Sequence, residues 1–285
     1  MAYGTSAPEL AVSVSANLNG SSGLVLGNII GSCVANLALI LGVTALIAPP
    51  AVEKSLIKRE LPVLMISALS LPFFLLNGVI STIEAMLLFG FAIAFSLWTV
   101  FFCNKCSDED LGGEASQEKN GQLCKDPQDI AEEENLSKPI LALLTVVGLA
   151  VLVGGGDLFV KGAKGIAFMF GMSDHLVGMT VVAIGTSLPE LAASIVAALR
   201  GMSGLAVGNV VGSNIFNIFL VLGVTGLFAP LHGDLGALKV DIGFMLILTL
   251  VAILFMRGDR VISRIEGGIL LASYVFFIGL SIAMA

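Results

Sequence analysis

Two short runs, Gly4-Thr5-Ser6-Ala7-Pro8-Glu9 and Gly185-Thr186-Ser187-Leu188-Pro189-Glu190, hold the residue types from which chemistry can be argued. Each places two hydroxyls, a proline and a carboxylate inside an otherwise apolar segment, where an ionisable group is costly and points to function. Proline has no N–H, and its ring clashes with the carbonyl four residues back, that of Gly185 for Pro189. A helix therefore breaks there and a backbone carbonyl is released. In hydrocarbon such a carbonyl is tolerated only where it lines a cavity or is satisfied by neighbouring protein. Threonine, serine, glutamate and a freed carbonyl together concentrate hard oxygen donors, the set that suits calcium or sodium. The competing reading is a capping box, Ser187-Leu188-Pro189-Glu190, that restarts a kinked helix. The apolar context and the duplication weigh against capping alone, although the two roles can coexist.

A polar stripe follows each run. Asn209, Ser213 and Asn217 recur every four residues, as do Asn28, Ser32 and Asn36, so each set lines one face of an apolar helix. Gly208 with Gly212, like Gly27 with Gly31, makes a small-x-x-x-small track that predicts close approach of a neighbouring helix. For Asn28 and Asn209, ion ligation and interhelical amide hydrogen bonding stand as equal alternatives.

These features belong to one repeat. A shift of 181 positions keeps roughly 27 of 46 residues identical between Gly4–Pro49 and Gly185–Pro230, without a gap. The chain of 285 residues is 56% hydrophobic and only 12% charged, with a mean hydropathy of +0.99, which places it in the membrane. The net charge of -7 argues against nucleic acid as a partner, because ten of the acids sit between Cys103 and Lys138 and no basic patch exists. Cys103-x-x-Cys106 with Cys124 falls short of a metal site, lacking histidine and a fourth ligand.

The half-helix ending near Asn19 is followed by predicted spans at Leu24–Ile47, Leu61–Leu76 and Thr82–Phe102. After the acidic linker come Pro139–Val153, Leu176–Leu199, Leu205–Phe228, Leu238–Phe255 and Val261–Met284, with Gly154–Ser173 as an interfacial or reoriented helix. Five spans per complete repeat give the copies opposite orientations, an inverted-topology repeat of the transporter type. Residues 1–102 form a first repeat, 103–138 a solvated tether and 139–285 a second repeat. Met1-Ala2-Tyr3-Gly4 matches Val182-Ala183-Ile184-Gly185, and the first half has no counterpart for the stretch that leads from Pro139 up to that point. The expectation is therefore an N-terminally truncated first repeat, and on that reading the chain as it stands inserts but does not exchange ions. Alternating loops put eleven of the Lys and Arg residues on one side and three on the other, which makes the linker cytoplasmic and the C-terminus external.

Gly-Thr-Ser-x-Pro-Glu followed by Gly-Asn-x-x-Gly-Ser, in two copies around an acidic loop, resembles the cation/calcium antiporter superfamily, closest to the prokaryotic sodium/calcium exchangers. The resemblance covers nearly the whole chain. It implies an all-α polytopic membrane protein of two inverted five-helix repeats, here without the first helix and half of the second. It also implies Glu9 and Glu190 as central acids. Thr5, Thr186, Ser6 and Ser187 become side-chain or backbone ligands, Ser32 and Ser213 line flanking sites, and the carbonyls of Ala2 and Ala183 fall at ligand positions. Asn36 and Asn217 match further site positions, one of which is aspartate in many members. Asparagine at both leaves the sodium stoichiometry and any potassium requirement open. The implied function is secondary antiport of sodium against calcium in a prokaryotic inner membrane. There is no enzymatic activity and no cofactor; calcium and sodium are the transported substrates and the lipid bilayer is the surroundings. A monomer is compatible with this, and the oligomeric state is left open. Calcium/proton antiport and a non-transporting fragment are the alternatives.

Overall fold

Alternating apolar runs and charged turns translate into long helices packed side by side. The computed structural model describes residues 2–109 and 171–284, with scattered positions between 140 and 165. Those positions aside, the predicted span Pro139–Val153, the reoriented segment up to Phe170 and the linker beyond Glu109 lie outside the described residues. So do the linker thiol Cys124 and the side chains of Cys103 and Cys106.

The first repeat opens with α1 (Ala2–Thr5) and α2 (Ala7–Leu18), parted at Ser6. It continues with α3 (Ser22–Ile47), α4 (Lys54–Phe74) and α5 (Thr82–Glu109). The second has the same order: α6 (Asp174–Thr186), α7 (Leu188–Leu199), α8 (Ser203–Phe228), α9 (Leu235–Arg257) and α10 (Arg264–Met284). Two boundaries differ from expectation for the same reason. Helix α4 starts at Lys54 rather than Leu61, and α5 runs on to Glu109 rather than stopping at Phe102. Hydropathy ends where charge begins, whereas Lys, Arg, Glu and Leu continue a helix without difficulty in water. Helix α10 begins at Arg264 rather than Val261, because Ser263 caps it. Ser263 N donates to Glu266 Oε2 at 2.8 Å while Glu266 N donates to Ser263 Oγ at 3.2 Å, a reciprocal capping box. Ser81 and Glu84 cap α5 in the same way.

Short pairings fix which loops share an end of the bundle. Strands β1 (Val79–Ile80) and β2 (Leu231–His232) pair antiparallel, with Val79 opposite His232. At the other end Ala51 bridges Val261, with Val52 N donating to the Arg260 carbonyl and Ile262 N to that of Pro50. The ends alternate along the chain as the predicted spans require.

The burial pattern suits hydrocarbon surroundings. Phe73, Ile83, Phe101, Val275 and Phe276 face outward, while Ser6, Glu9, Asn28, Ser32, Asn36 and their counterparts in the second repeat are buried. Gly27 and Gly31 explain how α6 lies on α3. A Cβ at Gly27 would stand 2.4 Å from the His175 carbonyl oxygen, and one at Gly31 2.4 Å from that of Met179. On the second track, a Cβ at Gly208 would meet, among the described residues, only Leu56 Cδ1 at 3.9 Å. A cavity of about 300 Å³, bordered by Tyr3, Phe95 and Gly212, lies beside it.

Candidate cation site

The proline breaks form where the sequence places them. Helices α6 and α7 meet at Ser187 with a bend of 41°, and Ser6 divides α1 from α2 with nearly the same backbone angles (φ -81, ψ 7 against φ -85, ψ 3). Both serines sit at N-cap positions, yet neither side chain caps its own helix. The Ser-x-x-Glu spacing that makes true capping boxes at Ser81–Glu84 and Ser263–Glu266 is put to another use here.

That use is cross-pairing between the repeats. Ser6 Oγ donates to Glu190 Oε1 at 3.2 Å, and Ser187 Oγ donates to Glu9 Oε1 at 3.3 Å. Glu9 and Glu190 are both fully buried and lie within electrostatic range of one another. Thr5 and Ser213 stand beside the Glu190 carboxyl, and Thr186 beside that of Glu9.

A second layer orients the threonines. Thr5 Oγ1 donates to Asn209 Oδ1 at 3.4 Å, and Thr186 Oγ1 lies 3.3 Å from Asn28 Oδ1, its single proton shared between that oxygen and the Val182 carbonyl at 3.0 Å. The amides are held in turn: Asn28 Nδ2 donates to Ser13 Oγ and Asn209 Nδ2 to Ser194 Oγ, both at 3.1 Å. Asn28 and Asn209 are thus braces, their amide oxygens and nitrogens engaged within the protein. A threonine hydroxyl that gives its proton to an amide oxygen keeps its lone pairs for another acceptor role.

What stays unengaged is as ordered as what is paired. Glu9 Oε2, Glu190 Oε2, Ser32 Oγ, Ser213 Oγ, Asn36 Oδ1 and Asn217 Oδ1 are buried oxygens with no hydrogen-bond partner among the described residues. They are three pairs related by the repeat, and Thr44 Oγ1 with Thr225 Oγ1, two turns further along α3 and α8, is a fourth. Buried polar atoms almost always find a partner, and each exception calls for a reason. Oxygens of this kind fit a hard cation, which takes about six to eight such ligands when it is calcium. The Ala183 carbonyl is less available: it accepts Ser187 N at 3.1 Å, with Thr186 Oγ1 beside it at 3.4 Å. Ala2 lies in α1, and its side chain is outside the described residues.

Three features were not foreseen. Asn36 and Asn217 fall in π-helical turns, Ala35–Ile40 in α3 and Asn217–Val221 in α8, and a third, Gly178–Val182, precedes Ala183. Such bulges re-aim side chains and concentrate at functional sites. Ser13 and Ser194 were overlooked although each recurs four residues after its glutamate, a signal the repeat contained. Asn214 carried no such signal, because its counterpart is Cys33. Asn36 Nδ2 donates to Asn214 Oδ1 at 3.4 Å, while Asn217, which would need an amide at position 33, has neither side-chain atom paired among the described residues.

Comparison with known proteins agrees with this architecture. The family model described as sodium/calcium exchanger protein matches residues 1–101 and 140–283. The sodium/calcium exchanger MaX1 of Methanosarcina acetivorans is 35% identical over 98% of this chain and 85% of its own length. The inner membrane protein YrbG of Escherichia coli is 31% identical over 98% of this chain and 83% of its own. Among solved structures, the sodium-calcium exchanger NCX_Mj superposes with a TM-score of 0.72 at 35% identity, over 98% of this chain and 84% of that one. It is thus an integral membrane antiporter rather than an enzyme, and the chain belongs to the sodium/calcium exchanger protein family.

Proposed function

We propose that the chain exchanges sodium for calcium by alternating access, with the ions held between Glu9 and Glu190. The observation that carries this reading is the pair of buried carboxylates whose Oε1 atoms are fixed by the opposite repeat while their Oε2 atoms have no partner among the described residues. Thr5, Thr186, Ser6, Ser187, Ser32, Ser213, Asn36 and Asn217 complete the set of oxygen donors around them, and the carbonyls of Ala2 and Ala183 are assigned to it by family resemblance.

Charge makes the exchange obligatory. Two ionised carboxylates in a low-dielectric interior are strongly unfavourable without a compensating cation, since each buried charge costs several kcal/mol. One calcium ion, or two sodium ions, neutralises the pair, and a third sodium would leave the loaded site with a net charge of +1. A site loaded in either way can pass between inward-open and outward-open states, and an empty one cannot. Residues 1–102 and 139–285 act as the two repeats, inverted with respect to each other, and 103–138 tethers them on the cytoplasmic side of a prokaryotic inner membrane. The pairing of loops at the two ends supports that alternation.

The test is calcium uptake by the purified chain in sodium-loaded liposomes, with the pH gradient collapsed by an ionophore. Uptake that depends on the sodium gradient and is lost in Glu190→Gln is expected, whereas no uptake under either gradient would favour the non-transporting fragment. Uptake that instead follows an imposed pH gradient without sodium would identify a calcium/proton antiporter.

A further inference from the structure

We propose that the groove between α4 and α9 binds an anionic phospholipid at the end of the bundle that carries Lys58 and Arg257. The two helices pack directly on one another, and a cavity of about 430 Å³ remains between them. Leu61, Met65, Leu250 and Ile253 form its apolar lining, here called the floor, and Lys58 and Arg257 line it as well.

The polarity runs along the helix axes. On α4, Leu61 and Met65 follow Lys58 by about one and two turns; on α9, Ile253 and Leu250 precede Arg257 by the same steps. The cleft therefore passes from cationic to apolar over roughly 10 Å of helix, at about 1.5 Å per residue. That is the profile of a lipid: phosphate at the interface, acyl chain against the floor. Arg257 is the last residue of α9 and Lys58 lies in the second turn of α4, so both cations sit where a membrane surface would run.

Neither cation is used elsewhere. Among the described residues the ion pairs are Arg59–Glu60 at 2.7 Å and His175–Asp241 at 3.0 Å, and Lys58 and Arg257 enter neither. Lys58, Pro62, Leu250 and Arg257 are all exposed, so the groove opens to the surroundings rather than into the bundle. Basic pockets between membrane helices are suited to anionic headgroups. A soluble anion would leave the apolar floor unused, and a zwitterionic lipid would bring its own cation toward Lys58 and Arg257.

The experiment is native mass spectrometry of the full chain in detergent with palmitoyl-oleoyl phosphatidylglycerol or the matching phosphatidylcholine. Wild type should retain phosphatidylglycerol in preference to phosphatidylcholine. Lys58→Gln/Arg257→Gln should lower that retention by at least about tenfold. Lys54→Gln/Arg260→Gln, which removes the same charge at the same end but outside the groove, should retain it. Met65→Trp, which fills the floor and leaves the cations, should lose it, and an unchanged melting temperature certifies each variant as folded. Unaltered retention in the groove variants overturns the proposal. So do equal loss in the Lys54/Arg260 control, equal retention of phosphatidylcholine, or complete displacement of the lipid by free glycerol phosphate.

Discussion

Ser187 Oγ donates to Glu9 Oε1 at 3.3 Å although the two residues stand 178 positions apart in the chain. Ser6 repeats the contact toward Glu190 at 3.2 Å. Each carboxylate is thus oriented by a hydroxyl at the helix break of the other repeat, and neither half of the site is complete alone. Any movement that separates the two breaks also separates both carboxylates from their donors.

Truncating one donor should therefore weaken ion binding without removing a charge. A hydrogen bond to a charged group contributes about 1.5–3 kcal/mol, so Ser187→Ala or Ser6→Ala should weaken the apparent affinity for calcium by roughly 10- to 100-fold. The calcium dependence of sodium-driven flux measures this. Wild-type affinity in both variants would refute a positioning role for the serines.

The carboxylates themselves should be indispensable. Glutamine keeps the shape and one acceptor of Glu9 or Glu190 but removes the charge that compensates a cation. Flux in reconstituted vesicles should fall to background in either variant while the protein remains monodisperse. Wild-type rates in Glu9→Gln and Glu190→Gln together would remove these residues from the site.

Much of this arrangement is legible in the sequence, because duplication and membrane burial both amplify the signal of a polar residue. Glu9, Glu190, the serines and the asparagine stripes could be found since each recurs 181 positions later in an apolar context. The partners of those residues could not, because the sequence does not state which repeat's serine meets which glutamate. The π-helical turns at Asn36 and Asn217 also escaped, since one extra residue in a turn leaves a four-residue polar period looking intact. Asn214 escaped for the opposite reason: it is the member of the set that breaks the repeat.

That broken symmetry bears on ion choice. Asn36 is steadied by Asn214, whereas both amide atoms of Asn217 lack a partner among the described residues. Asn217→Asp adds a charge of the same size and shape beside the proposed site. Apparent calcium affinity should rise by roughly tenfold, equivalent to about 1.4 kcal/mol, well inside what a unit charge a few ångströms from a divalent ion provides. Titration of flux against calcium at fixed sodium tests it, and unchanged affinity together with unchanged sodium dependence would count against Asn217 as a site residue.

The two glycine tracks should differ in tolerance. At Gly31 a Cβ would lie 2.4 Å from the Met179 carbonyl oxygen and 2.7 Å from Ala183 Cβ, so backbone rather than a pliable side chain would have to move. Gly31→Val should destabilise by about 1–3 kcal/mol or more and lower the melting temperature. Gly208→Ala, which among the described residues meets only Leu56 Cδ1 at 3.9 Å, should be near neutral. Equal losses at both positions would show that α8 carries a backbone contact there as close as that of α3.

Orientation is the last matter, and loops that the structure already assigns to opposite ends can decide it. His232 pairs with Val79 at one end, and Asp259 adjoins Arg260, whose carbonyl accepts Val52 N, at the other. The second end gathers Lys54, Lys58, Arg59, Arg200, Arg257, Arg260 and Arg264, and an excess of Lys and Arg in short loops marks the cytoplasmic side. After Cys33, Cys103, Cys106 and Cys124 are replaced by serine, Asp259→Cys should react with an impermeant thiol reagent only when the cytoplasmic face is presented. His232→Cys should react only from outside. The reverse pattern would overturn the orientation while leaving the fold intact. Labelling of both positions from one face would contradict the alternation of ends itself.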